Sequence, residues 1–217
     1  MKKMVVTLFI LCLISSSTSF GQFGFSIGPK VGFNLANLSF DPDEGVNKSG
    51  RFGLMFGAAA ELTFSSMFAV QIEPMYVQKG ATEVDVQTDV GPGKADFNLA
   101  ELQFPILFKL EIPAGIVKPY FLAGPNIGVV LSSDIDVSAG GQTAEIDYKD
   151  QTSSTDFCID FGGGIGYPIT PVIVLTFDIR YSLGLSNLEK NPQQIQSGET
   201  STKSNGIQFQ FGAMFGI

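Results

Sequence analysis

Phe52-Gly53-Leu54-Met55-Phe56-Gly57-Ala58-Ala59-Ala60-Glu61-Leu62-Thr63-Phe64, continued by Phe68-Ala69-Val70-Gln71-Ile72-Glu73-Pro74-Met75-Tyr76, is the stretch whose reading decides the fold. In the first arm Phe52, Leu54, Phe56, Ala58, Ala60, Leu62 and Phe64 share one face, with Gly53, Met55, Gly57, Ala59, Glu61 and Thr63 on the other. That is the period of two expected of a strand with unlike faces. After Ser65-Ser66 the second arm sets Phe68, Val70, Ile72, Pro74 and Tyr76 against Gln71 and Glu73. Residues 51–79 therefore read as a hairpin, aromatic on one side and small or polar on the other.

The same unit recurs on both sides of it. Strand one, residues 23–37, alternates Phe25, Ile27, Pro29, Val31, Phe33 and Leu35 with Ser26, Gly28, Lys30, Gly32 and Asn34. Strand four, 97–112, opposes Leu102, Phe104, Ile106, Phe108 and Leu110 to Glu101, Gln103, Lys109 and Glu111. Strand five, 118–132, opposes Phe121, Ala123, Ile127, Val129 and Leu131 to Leu122, Gly124, Asn126 and Gly128. In strand six, 156–167, Phe157, Ile159, Phe161, Ile165 and Tyr167 face away from Cys158, Asp160, Gly162, Gly164 and Gly166. Strand seven, 172–184, sets Ile173, Leu175, Phe177, Ile179, Tyr181 and Leu183 against Thr176, Asp178, Arg180 and Ser182. Strand eight, from 206, sets Ile207, Phe209, Phe211, Ala213, Phe215 and Ile217 against Gln208, Gln210, Gly212 and Met214.

Long connections follow the odd strands (41–50, 82–96, 133–155 and 185–205), and short turns follow the even ones (65–66, 113–115 and 168–171). Eight antiparallel strands in up-and-down order place all long loops at one end. The fold class expected is an all-β, eight-stranded antiparallel transmembrane β-barrel with long extracellular loops, short periplasmic turns and periplasmic termini. Strands two, six and eight also share Leu54-Met55-Phe56-Gly57, Ile159-Asp160-Phe161-Gly162 and Phe209-Gln210-Phe211-Gly212, which puts glycine repeatedly on a crowded inner wall.

A soluble ligand-carrying barrel would invert the faces, with the aromatic side lining a cavity. The polar face is too small and glycine-rich for a wall in water, and an eight-stranded interior is just wide enough to be filled by side chains. Tyr76 and Tyr181 face outward far from their short turns and Tyr167 beside one. They are the expected interface aromatics, although the chain has no Trp. The inward charges Lys30, Glu61, Glu73, Glu101, Lys109, Glu111, Asp160, Asp178 and Arg180 are expected to form one hydrogen-bonded lumen network, because unpaired buried charge is costly.

Lys2 and Lys3 precede an apolar run from Met4 to Ile14 and the small residues of Ser19-Phe20-Gly21. This reads as a cleavable signal peptide over residues 1–21, leaving 22–217 as a single barrel domain in the outer membrane. Leu11 before Cys12 is too large for a lipid-attachment signal, and Cys158, the remaining cysteine, reads as a small packed residue. Without Lys2 and Lys3 the 13 basic residues fall to 11 against 21 acids, a net charge of −10 that argues against nucleic-acid partners. The expected partners are outer-membrane lipid and proteins met through the loops or turns.

The chain contains no histidine, which removes Ser-His-Asp hydrolysis and His-based metal sites. Asp134, Asp136, Ser138 and Glu145 have calcium-loop spacing, but Ala139 stands where that loop requires glycine. No catalytic, cofactor-binding or metal-binding residue is assigned, and no enzymatic activity is expected. Two readings from different classes follow: a structural or interaction protein with a closed lumen, and a small pore or transporter of an apolar solute.

Lys30-x-Gly32-x-Asn34-x-Ala36, the run from Gln71 to Gly80, Lys118-Pro119-Tyr120 with Ala123-Gly124-Pro125, and the run from Arg180 to Leu185 resemble the PorT-type outer-membrane β-barrel family of Bacteroidetes. The resemblance covers nearly all of residues 22–217. It implies an eight-stranded outer-membrane barrel and, through the family's namesake, an accessory part in type IX protein secretion.

Overall fold

Alternating side chains leave one apolar face on every strand, and the chain buries none of those faces against a second layer; it rolls the sheet into a ring. The computed structural model describes residues 24–41, 49–88, 91–191, 194–195 and 198–217. The expected signal peptide lies outside these residues. Eight strands form the ring: β1 (Gly24–Asp41), β2 (Ser49–Thr63), β3 in two pieces (Phe68–Ile72 and Met75–Thr88), β4 (Gly91–Glu111), β5 (Lys118–Ala139), β6 (Thr155–Thr170), β7 (Ile173–Gly184) and β8 (Ser201–Gly216). Each pairs antiparallel with its neighbours in sequence, and β1 closes on β8 through pairs such as Lys30 with Gly212 and Phe33 with Phe209. Closure leaves neither end strand of the ring, β1 or β8, as a free edge for aggregation.

The apolar faces point outward. Phe52, Leu54 and Phe56 on β2, Phe108 on β4, Phe121 on β5 and Phe211 on β8 are each half or more exposed, as are many Ile and Leu at the same parity. Rings on adjacent strands pack together, with centroids 4.8 Å apart both for the stacked pair Phe33 and Phe209 and for the tilted pair Phe177 and Phe211. This exposure suits hydrocarbon and would be untenable in water.

Pro74 splits β3, because it has no N–H to give to the ladder. The break is local. Ala58 N donates to the Pro74 carbonyl at 3.1 Å, and Glu73 N donates to the Pro105 carbonyl at 3.2 Å, so both neighbouring strands stay attached. The Pro74 ring faces out and the Glu73 carboxylate faces in.

The long-loop end differs from the sequence expectation. Residues 82–96 are mostly sheet: β3 continues to Thr88 and β4 restarts at Gly91, pairing Val84 with Ala95 and Val86 with Gly93. Residues 133–155 likewise begin as β5, turn at Gly140-Gly141 and return as a short strand, Gln142–Asp147, before a 3₁₀ turn at Lys149–Gln151. Glu83, Asp85, Glu145 and Asp147 are exposed on these ladders and Asp96, Asp134 and Asp136 half-buried, so charge and strand are compatible there. This pairing also sets Asp136 opposite Glu145, so the calcium-loop acids run along a hairpin. An apolar cluster that includes Leu38, Val84, Leu99, Val130 and Leu188 is buried at this level.

Candidate functional site

The lumen is where the chain concentrates its polar chemistry, and its inward groups separate into three levels. In the middle level Arg180 donates to both Glu73 oxygens, Nη1 to Oε2 at 2.5 Å and Nη2 to Oε1 at 2.9 Å, and Nη2 also reaches Asp178 Oδ2 at 2.7 Å. Lys30 Nζ donates to Glu73 Oε1 at 2.8 Å and is also hydrogen-bonded to Asp178. Gln71 Nε2 adds a third kind of donor to Glu73 at 2.5 Å, and the Tyr120 hydroxyl donates to Asp178. Lys30, Glu73, Asp178 and Arg180 are all 1% exposed or less. Two cations thus face two carboxylates, the balance that lets ions persist in a low-dielectric interior.

The level nearer the loops centres on Lys79, whose ammonium lies 2.9 Å from Glu101 and 3.0 Å from Asp156. Gln103 donates to Glu101 at 2.8 Å, and Asn126 donates to Gln103 at 3.1 Å and to Asp160 at 2.9 Å. Ser182 donates to Asp160 at 2.6 Å, so that carboxylate is held by neutral donors. Cys158 is buried, and its thiol donates to Asp156 at 3.4 Å.

The level nearest the short turns is smaller. Lys109 pairs with Glu61 at 2.9 Å and stands 3.8 Å from Glu111, which itself pairs with Lys118 at 3.0 Å. Glu111 sits at the rim, with about a quarter of its side chain exposed, instead of deep in the lumen. Lys109 Nζ lies 4.2 Å from the Tyr120 ring centroid, which joins this level to the middle one.

All nine charges named from the sequence point inward, but they fall in three groups and not in one. Lys79, Asp156, Tyr120 and Lys118 complete those groups and lie outside the named set. The signal for two of them is parity: Lys79 is six residues past inward Glu73, and Asp156 is two before inward Cys158. Two small apolar clusters, Met55 with Met75 and Val77, and Leu107 with Tyr120 and Leu122, share the lumen with the ions. Charges alone cannot fill that volume at native packing density.

Glycine makes room for the long cations. Lys30 has glycine on both flanking strands, pairing with Gly57 and with Gly212. Arg180 pairs with Gly162, Asp178 with Gly164 and Asp160 with Gly124. A Cβ at Gly212 would stand 3.0 Å from Lys30 Cγ, and one at Gly164 would stand 2.6 Å from Asp178 Oδ1. The glycines repeated on strands two, six and eight are therefore the ones beside Lys30 and Arg180.

Two of the three outward tyrosines pack on a neighbouring aromatic ring. Tyr76 packs on Phe56 with ring centroids 5.0 Å apart and Tyr181 on Phe161 at 5.6 Å, while Tyr167 pairs with Leu175 and is half exposed.

An eight-stranded ring with an apolar belt outside and ion pairs inside defines an integral membrane β-barrel. The chain belongs to the outer membrane protein beta-barrel domain family, whose model matches residues 19–190. Among solved structures it is similar to the outer membrane protein OprG from Pseudomonas aeruginosa, at 15% identity over 92% of this chain and 98% of that one, with a TM-score of 0.54. It is also similar to a major outer membrane protein from Thermus thermophilus, at 13% identity over 90% of this chain and 100% of that one, TM-score 0.50. These likenesses are of fold. A comparison with curated proteins found no match.

Proposed function

We propose that the protein is a closed outer-membrane barrel with a structural or interaction role, worked through its outer loops. The observation that carries this reading is the middle level of the lumen. Lys30, Glu73, Asp178 and Arg180 cross-link three strands there, β1, β3 and β7, with essentially no exposure. Removing water from such a balanced cluster makes it a structural plug and leaves little for a solute to follow. In this reading residues 22–217 are the mature barrel after loss of 1–21. Tyr76, Tyr167 and Tyr181 sit at the membrane interfaces, the long loops are extracellular and the termini periplasmic. The absence of histidine, the ion pairing of Glu61, Glu73, Glu101, Asp156 and Asp178, and the neutral donors that hold Asp160 favour a non-enzymatic role.

The finer affiliation, with PorT-type barrels and type IX secretion, is supported by the run from Gln71 to Gly80. That run carries Glu73 and Lys79, one of the two acids of the middle level and the base of the level nearer the loops. Deleting the gene should then impair export of proteins bearing the type IX signal, and unchanged export would remove that affiliation.

The interaction role is tested by shortening the outer hairpin, removing residues 140–147 from the full chain. Partners copurified from gently solubilised outer membrane should be lost while the barrel keeps its folded mobility on unheated gels. An unchanged partner set would contradict a role for that loop.

A further inference from the structure

Above the charged levels the interior of the barrel changes from polar to apolar, and it is not filled. A cavity of about 200 Å³ is bounded by Leu38, Phe97, Leu99 and Leu188, with Thr152 and Thr202 among its polar lining. A second cavity of about 420 Å³ lies against it, lined by Tyr148, Gln151, Glu189, Asn191 and Thr200. Tyr148 and Glu189 line both, so they stand at the junction.

The roof over this junction is built, not draped. Ser153 N donates to the Leu188 carbonyl at 2.7 Å, Leu188 N to the Thr202 carbonyl at 2.8 Å, and Lys190 N to the Gln151 carbonyl at 3.0 Å. Asn187 Oδ1 accepts from Glu189 N at 3.0 Å and from Thr202 N at 2.9 Å. The connection after β5 and the connection after β7 are thereby tied to each other and to β8. Glu189 itself is fixed, its two oxygens accepting the Thr200 and Thr202 hydroxyls at 2.7 Å each.

A carboxylate can accept about four hydrogen bonds, so two hydroxyls leave it capacity for a ligand donor. Among the described residues no Lys or Arg lines either cavity. Tyr148, the other shared residue, is an aromatic of the kind that attracts ammonium groups. An apolar cavity of roughly 150 Å³ accepts a benzene-sized molecule, and this one is somewhat larger. We infer that this paired cavity is a binding site for a small organic amine, its apolar body seated among Leu38, Leu99 and Leu188 and its ammonium at Glu189. The site lies on the loop side of the ion pairs, so it rests on the barrel fold and stands whether or not the lumen conducts.

The test uses the full mature barrel in lipid nanodiscs, with empty nanodiscs as the blank. Fluorine NMR would follow titration with 4-fluorobenzylamine, 4-fluorobenzyl alcohol and 4-fluorobenzoate, three water-soluble molecules of one shape and three charges. The expected result is saturable binding of the amine, at least tenfold weaker binding of the alcohol and weaker still of the benzoate. Leu188→Trp, which fills the apolar cavity, should abolish amine binding. Glu189→Gln, which keeps the threonine contacts, should bring the amine down to the level of the alcohol and leave the alcohol unchanged. Equal signals from barrel and empty nanodiscs, benzoate binding as tight as the amine, or amine binding indifferent to Glu189→Gln would each overturn the assignment. Should Leu188→Trp fail to fold, the Glu189→Gln comparison decides alone.

Discussion

Arg180→Ala is the most informative single substitution in the lumen. The side chain is fully buried and makes three charge-assisted hydrogen bonds, two to Glu73 and one to Asp178. Its loss takes the middle level from two cations and two carboxylates to one cation and two carboxylates. Breaking a buried pair by removing one partner costs about 3–5 kcal/mol. Lys30 still touches both carboxylates, and Gln71 and Tyr120 still donate to them, which places the expected cost toward the lower part of that range. The assay is equilibrium urea unfolding of the protein refolded into lipid vesicles, with heat-modified gel mobility as the readout. Adding Glu73→Gln to Arg180→Ala restores charge balance, so the double variant should be destabilised by clearly less than the sum of the two singles. An Arg180→Ala barrel within about 1 kcal/mol of wild type would refute the reasoning, because a cost that small belongs to an ion pair in water.

The other expectations follow from the same geometry. Lys79→Ala strands Glu101 and Asp156 and should cost about 3–5 kcal/mol in the same assay. Ile179→Arg puts charge on the lipid face beside Arg180 and should cost about 2–4 kcal/mol if the position lies near the membrane midplane, less toward an interface. Gly212→Ala drives a methyl group against Lys30 and Thr176 and should destabilise by about 1–3 kcal/mol, whereas Gly24→Ala, whose added Cβ meets only Thr63 at 3.7 Å or beyond, should be near neutral. Cys158, 3% exposed, should resist a water-soluble maleimide in the folded barrel and react fully on unfolding.

Strand phase was legible throughout, because each strand has one face in lipid and a one-residue slip would turn every side chain over. Ile179 and Arg180 show how sharp that signal is, adjacent in sequence and one 45% exposed, the other 1%. Which charges would meet was less legible. Parity places Arg180 inward, yet its choice of Glu73, on a strand far away in sequence, depends on the stagger of the ring, which alternation does not encode. The loop end was misread for a different reason. Val84, Val86 and Ala95 alternate as a strand would, but the surrounding Asp and Gly residues carry the composition of a loop, and the ladder prevails once both arms pair. The paired cavities beneath the loops had no sequence signal, since Leu188 and Glu189 come from one connection and Tyr148 from another.

Single-channel recording of the wild-type barrel in planar lipid bilayers tests the central claim most directly, namely that the ion-paired lumen closes the barrel. The account requires insertion without stable conductance steps, in protein shown to be folded by its gel mobility before heating. Reproducible unitary conductance from that folded protein would contradict a lumen closed by Lys30, Glu73, Asp178 and Arg180.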